Sequence, residues 1–293
     1  MVWIKQLRIH QWLKNLLVFA PLLAAHQAAD HDRIGKLLLA FLAFNLAASS
    51  VYLINDITDI QSDRAHPTKK NRPIAAGLIS AKTAILFTAI LVLLALSIGS
   101  AISWAFEGWL FGYLVLTFAY SNWLKKIALV DVIVLTAFYL LRIIAGGTAS
   151  QIPLSFWLQA FAIFLFLSLA FAKRFTELQT YEEEQSAASS QRGYEISDAP
   201  NLKIMGIASG YAAIVILALY LDSATVQQIY VNPKLIWLVV PVFTYWINWI
   251  WLEAGRGNMH EDPIVFAVRR RESQISGILF LIIILVSDMR IGY

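Results

Sequence analysis

Long apolar runs alternate with short clusters of charge along this chain. Nine runs read as helices that cross a lipid bilayer: roughly 15–29, 35–54, 81–104, 108–124, 128–148, 154–172, 203–222, 233–252 and 273–290. A spanning helix needs about 17–25 mostly apolar residues. The first run is the shortest and holds Pro21, so its limits are the least defined. The stretch before it, MVWIKQLRIHQWLKN, is basic and aromatic, as expected of a segment lying in the membrane interface. A cleaved signal peptide also begins with a basic region before an apolar one, but its removal would break the charge pattern described next.

Composition agrees with the pattern. Of 293 residues, 59% are apolar and 14% charged, and the mean hydropathy of +0.64 exceeds that of soluble domains. With nine spans and an inside N-terminus, 18 of the 23 Lys and Arg residues fall on one side. They include Lys5, Arg8, Lys14, Arg64, Lys125, Lys126 and the run Arg269 to Arg271. Positive charge accumulates on the cytoplasmic side of membrane proteins. The expectation is therefore an all-α polytopic protein of the inner (cytoplasmic) membrane, forming one domain with its N-terminus inside. The net charge of +4 points to anionic lipid and phosphate, not to nucleic acid. The absence of cysteine excludes disulfides, thiol catalysis and thiolate metal sites. No His pair has a metal-binding spacing such as HExxH. Homo-oligomer formation is left open.

Three polar segments, 55–80, 173–202 and 253–272, are long, and by parity all emerge on the cytoplasmic face. They are expected to be cap loops, with the Ser-rich YEEEQSAASSQRGYEISD as a lid-like stretch. Within the first segment Asn55, Asp56, Asp59 and Asp63 have the pattern N-D-x-x-D-x-x-x-D. On a helix these fall within an arc of about 100°. At a partly buried mouth, two carboxylates ~6 Å apart repel by roughly 3 kcal/mol at an effective dielectric near 20. A divalent cation reverses that sign. Mg²⁺ is the natural candidate, since one or two carboxylates plus substrate phosphates often hold it. Lys69, Lys70 and Arg72 follow at once, between Pro67 and Pro73, and suit the non-bridging oxygens of a diphosphate.

These residues resemble the UbiA-type intramembrane prenyltransferases, in which such a motif ends the second of nine helices. The resemblance covers nearly the whole chain and implies a helical bundle with a lipid-accessible pocket, capped by cytoplasmic loops that bind Mg²⁺–diphosphate. QWLKN (11–15), DRAHPTKKNRPIAAG (63–77), YSNWLKK (120–126), LRIIAGG (141–147) and AKRFTEL (172–178) are similar to the decaprenyl-phosphate phosphoribosyltransferase branch. There, 5-phosphoribosyl diphosphate donates its sugar to a polyprenyl phosphate and diphosphate leaves. The resemblance implies Asp56, Asp59 and Asp63 as metal ligands supported by Asn55, with Lys69, Lys70 and Arg72 on the diphosphate. It adds Lys14, Tyr120, Lys125 and Lys126 as substrate contacts.

Aromatic prenyltransferases of the superfamily carry a second aspartate-rich motif after the sixth helix. Here Lys173, Arg174 and Glu177 stand in its place. Phosphoribosyl diphosphate and a lipid phosphate together bring three anionic groups, so direct cations are expected there, with Lys173 near the chemistry. An aromatic prenyltransferase would need carboxylates from Glu177, Glu182, Glu183, Glu184 or Asp198. A lipid or ion transporter would need carboxylates at mid-membrane and internal pseudo-symmetry. The chain departs from the branch at Ile9-His10 and at Arg270. Glu261 and Asp262 are expected to pair with Arg269–Arg271, and Arg142, the one basic residue inside a span, to pair locally or snorkel.

Overall fold

The computed structural model describes residues 2–27, 29–65, 69–183, 192–259 and 262–288. The described residues are all helical or irregular, without strands. Thirteen α-helices follow in order: α1 (Val2–Gln6), α2 (Ala20–Ala24), α3 (His31–Thr58), α4 (Ile60–Ala65), α5 (Ala81–Ile102), α6 (Trp104–Asn122), α7 (Val130–Ser150), α8 (Phe156–Glu183), α9 (Ala199–Leu221), α10 (Ala224–Ile229), α11 (Val239–Gly255), α12 (Pro263–Arg269) and α13 (Arg271–Asp288). Five 3₁₀ segments punctuate them, the longest at Ile9–Phe19.

Six helical stretches among the described residues are long and apolar enough to cross a membrane: His31–Thr58, Ala81–Ile102, Val130–Ser150, Phe156–Thr180, Ile196–Leu221 and Leu235–Gly255. Nine had been expected. α6 is less apolar because it carries Glu107, two tryptophans and two tyrosines. α13 places Arg271, Glu272 and Asp288 within 18 residues. The expected first span is no continuous α-helix, since Pro21 sits at the start of the five-residue α2 and the chain before it winds as 3₁₀. Exposure fits a lipid surroundings for the rest. Only 17% of the apolar stretch of α5 is buried, and Ile85, Leu86, Leu93 and Leu94 face outward. Such a helix is stable only where the solvent is itself apolar.

The polar segments are also more helical than the charge pattern suggests. α3 runs on through Asn55 and Asp56, α8 continues to Glu183, and α12 lies inside 253–272. Residues 184–191, His66, Pro67, His260 and Glu261 lie outside the described residues.

The chain divides into two compact units: residues 1–125 with 141–154, and residues 126–140 with 155–293. In the first, α3 packs along α5 and α6. Leu53, Ile74, Ile79, Ala84 and Leu91 form a core under the C-terminal end of α3, with Trp3, Leu7 and Ile57 at its border. Trp3 stacks on Phe87 of α5 at 4.1 Å between ring centroids, fixing α1 there. In the second unit α8 packs on α9, and Trp251 Nε1 of α11 donates to Ser168 Oγ of α8 at 3.0 Å.

The 3₁₀ segment of the first unit spans 11 residues, although such runs seldom exceed three or four. Its contacts explain the winding. Trp12 Nε1 donates to Ser49 Oγ at 3.1 Å. Asn15, fully buried, donates to Asn45 Oδ1 and accepts from Arg142 Nε, both at 2.6 Å. The Val18 carbonyl lies against Gly146, where any Cβ would collide with it. These three residues are spaced by three, so a 3₁₀ helix stacks them on one line while an α-helix would fan them apart. Arg142 therefore does not snorkel. It pairs inside the unit, with its guanidinium over the Tyr113 ring at 5.0 Å.

Gly146→Ala is expected to displace this segment and lower thermal stability by about 1–3 kcal/mol, the usual cost of overpacking. Thermal unfolding in detergent checks this, and Gly112→Ala, where nothing lies within 4 Å, serves as the neutral control.

Candidate functional site

Each unit holds a cluster of charged groups around a buried aspartate. In the first, α3 ends at Asp59, whose backbone (φ −94°, ψ 8°) leaves helical geometry before α4 resumes. The hydrogen bonds from Asp59 N–H to Asn55 O (2.9 Å) and Asp63 N–H to Asp59 O (2.8 Å) carry across the kink. Asp56 and Asp63, seven residues apart, thus stay on one side, and both are buried, at 2% and 3% exposure. Arg72, from the turn after α4, joins them. Its Nη1 lies 3.2 Å from Asp56 Oδ1 and 2.6 Å from Asp63 Oδ2. Asp59 stands apart, exposed at the kink.

Two further partners come from the N-terminal segment, and neither was among the expected site residues. Gln6 Nε2 donates to Asp56 Oδ2 at 2.8 Å, and Arg8 Nη2 to Asp56 Oδ1 at 2.6 Å. Arg8 also lies over the Tyr52 ring. The one sequence signal for Arg8 was its membership of the basic N-terminal stretch. Lys69 and Lys70 are exposed on a short 3₁₀ turn, Lys14, Tyr120 and Lys125 are half-buried, and Lys126 is exposed. The Lys5 ammonium reaches the Asn71 carbonyl at 3.2 Å, closing the N-terminus over the basic turn.

No group of three or more His, Asp or Glu side chains among the described residues is placed to hold a metal ion. The pair Asp56 and Asp63 nevertheless suits one. Both offer a carboxylate oxygen to a single cationic nitrogen, and oxygen-only donors are what Mg²⁺ takes. The rest of its shell is then left to water and substrate phosphate.

In the second unit the cluster centres on Arg174, which is 1% exposed. Its guanidinium pairs with Asp131 at the start of α7 and with Glu177 one turn along α8. Arg192 reaches Glu177 at 3.3 Å. The Tyr194 hydroxyl donates to Asp131 and accepts the Leu129 N–H at 2.8 Å. Burial, then the hydrogen bond to Asp131 and its charge, push the Tyr194 phenol well above its ordinary range, so it stays a donor. Beside it, Gly193 has φ +73° and abuts the Lys126 carbonyl, where no side chain fits. Arg174 and Glu177, expected to meet substrate, are tied to each other, and Arg174 is tied to the buried Asp131 as well. An unpaired Asp131 at 0% exposure would be costly, and Arg174 is its counterion. Asp131, alone at the head of an apolar run, was the signal that such a partner had to exist.

Lys173 points elsewhere. Its Nζ lies 3.3 Å from Asp262 Oδ2, which also accepts from the Tyr139 hydroxyl at 3.5 Å. The other Asp262 oxygen caps α12 by accepting the Ile264 N–H at 3.2 Å. Asp262 thus pairs with Lys173 through one oxygen while the other caps α12. Asp198 is likewise engaged, capping with Glu195. The same unit holds a groove of about 430 Å³ between α11 and α13, apolar apart from Glu272 and Ser276.

The model of the UbiA prenyltransferase family matches residues 16–268, and the chain belongs to that family. An uncharacterized protein, y4nM, of Sinorhizobium fredii is 41% identical over 280 residues, which are 94% of this chain and 54% of that protein. The chain thus spans about half of that relative's length. The decaprenyl-phosphate phosphoribosyltransferase of Mycolicibacterium smegmatis is 38% identical over 229 residues, covering 74% of this chain and 69% of the relative. Among solved structures, a UbiA homolog from Archaeoglobus fulgidus bound to GPP and Mg²⁺ has a TM-score of 0.70. It is 17% identical and covers 98% of this chain and 99% of its own. The chain thus has the UbiA fold and the long apolar helices of a membrane protein.

Replacing Arg174 by Met is expected to cost about 3–5 kcal/mol by stranding Asp131. Adding Asp131→Leu to that variant should recover most of the loss. Denaturant or thermal unfolding of the purified protein measures both.

Proposed function

We propose that this chain transfers the 5-phosphoribosyl group of phosphoribosyl diphosphate to a polyprenyl phosphate, releasing diphosphate. One observation carries the reading: two buried carboxylates, Asp56 and Asp63, share one guanidinium beside a basic turn. The similarity to decaprenyl-phosphate phosphoribosyltransferase supports the choice of substrates, and the Mg²⁺ of the Archaeoglobus homolog supports the metal. The one-sided Lys and Arg pattern supports a cytoplasmic N-terminus and a cytoplasmic site.

Asp56 and Asp63 would hold Mg²⁺, and Asp59 enters the set on its motif position. When bound, the ion neutralises the charge that develops on the departing diphosphate. Arg72, with Lys69 and Lys70, binds the non-bridging oxygens and spreads the same charge. A lipid phosphate oxygen attacks the anomeric carbon as the bond from that carbon to diphosphate breaks. The bonding pair leaves with diphosphate, through a state with oxocarbenium character. The attacking oxygen is ionised at neutral pH, so no side chain must remove a proton. Burial of the carboxylates keeps their orientation fixed before substrate arrives, which is where catalytic positioning gains most.

Purified protein supplied with Mg²⁺, a polyprenyl phosphate and phosphoribosyl diphosphate should yield a polyprenyl-phosphate-linked phosphoribose. Chelation should abolish turnover, and Asp56→Asn or Asp63→Asn should lower it by about 10²–10³. Product formed only from a polyprenyl diphosphate and an aromatic acid would overturn the reading in favour of prenyl transfer.

A further inference from the structure

We infer that Arg8 is an exchangeable counterion, one that neutralises Asp56 and passes to the diphosphate when a divalent cation takes the same carboxylate oxygen. The inference rests on the metal–diphosphate reading above and adds a residue and a rule of binding to it.

The backbone gives the first indication. Arg8 adopts φ 50°, ψ 50°, a left-handed conformation that strains any residue with a β-carbon. Strain of this kind persists where surrounding contacts over-determine it. Those contacts are Trp3 stacked on Phe87 before it and Trp12 and Asn15 pinned to α3 after it. Between these anchors the chain reverses its twist at one residue, and the result is a guanidinium 2.6 Å from a carboxylate that is 2% exposed.

Charge gives the second indication. Asp56 Oδ1 receives Arg8 and Arg72, and Asp63 Oδ2 receives Arg72. These two acids and two bases sum to zero. A divalent cation added alone leaves this half-buried cluster strongly positive, and a diphosphate added alone leaves it strongly negative. Added together they nearly cancel. The guanidinium groups are the parts able to move, since their side chains are 24% and 26% exposed while the carboxylates are walled in. Each guanidinium carries five donors on a planar fork suited to phosphate. Arg8 keeps its place over the Tyr52 ring, 4.8 Å away, so it can turn from carboxylate to phosphate without leaving the site. Metal and diphosphate should therefore bind with strong mutual coupling, equal in both directions, with Arg8 carrying part of that coupling.

The test uses full-length protein, Mn²⁺ alone followed by electron paramagnetic resonance, and retention of labelled inorganic diphosphate with Mg²⁺. Arg8→Gly removes the guanidinium and relieves the left-handed strain, and Arg8→Asn, also tolerant of that backbone, is the second variant. Both should bind Mn²⁺ alone at least about fivefold more tightly than wild type, since a competing cation is gone. Both should retain diphosphate at least about tenfold more weakly. Arg8→Lys should stay near wild type in Mn²⁺ affinity. Unchanged or weaker Mn²⁺ binding in the glycine and asparagine variants, or unchanged diphosphate retention, would overturn the exchange. Asp56→Asn separates the two readings. If it abolishes Mn²⁺ binding while the Arg8 variants change nothing, the exchange alone is wrong; if Mn²⁺ binding survives it, the metal assignment falls as well.

Discussion

The first unit depends on the charge balance around Asp56. A carboxylate withdrawn from water at the end of an apolar helix is tolerable when cations and hydrogen-bond donors surround it. Arg8, Arg72 and Gln6 do this from two separate stretches of chain. The requirement reaches far into the local structure. It draws the N-terminal segment across the end of α3, forces one left-handed residue, and holds the turn after α4 against the kink at Asp59. Geometry that looks irregular along the sequence follows from satisfying one buried anion.

The second unit solves a similar problem differently. Asp131 is fully buried and its partners Arg174 and Tyr194 belong to the protein alone. Arg174, at 1% exposure, is sealed where Arg8 and Arg72 remain partly open. The sealed Asp131–Arg174 pair works as a fastener, with Glu177 and Arg192 at its open margin; at Asp56 the cations that touch the buried carboxylate are themselves within reach of solvent, and therefore of ligand. That contrast in accessibility, more than residue type, separates a structural ion pair from a candidate site.

Much of this was legible in the sequence. The membrane class followed from apolar run length, and the long helices α3, α5, α7, α8, α9 and α11 followed from the same runs. The motif N-D-x-x-D-x-x-x-D located the acidic cluster, and HPTKKNRP located its basic neighbour. The 3₁₀ winding of 9–19 was not legible, because it is dictated by partners on α3 and α7 that are distant in sequence. The kink at Asp59 was invisible for the same reason, since the spacing alone fits an unbroken helix. Arg8 was counted as a topology charge and Arg174 as a phosphate contact, and neither a charge count nor a place in the sequence tells which carboxylate each one faces. Asp131 was the overlooked acid, a lone carboxylate whose partner lies tens of residues away, while Asp262, expected to pair within its own loop, meets Lys173 of α8.

The 3₁₀ segment also works as a ruler with three-residue graduations. Trp12, Asn15 and Val18 mark successive divisions, each read by a different neighbour. Deleting or inserting one residue there would turn every later mark by about 120°, whereas point substitutions at the unread positions leave the scale intact. Length variation between Trp12 and Val18 should therefore be far rarer among functional homologues than chemical variation at Leu13, Leu16 and Leu17. The segment stores information in spacing more than in composition.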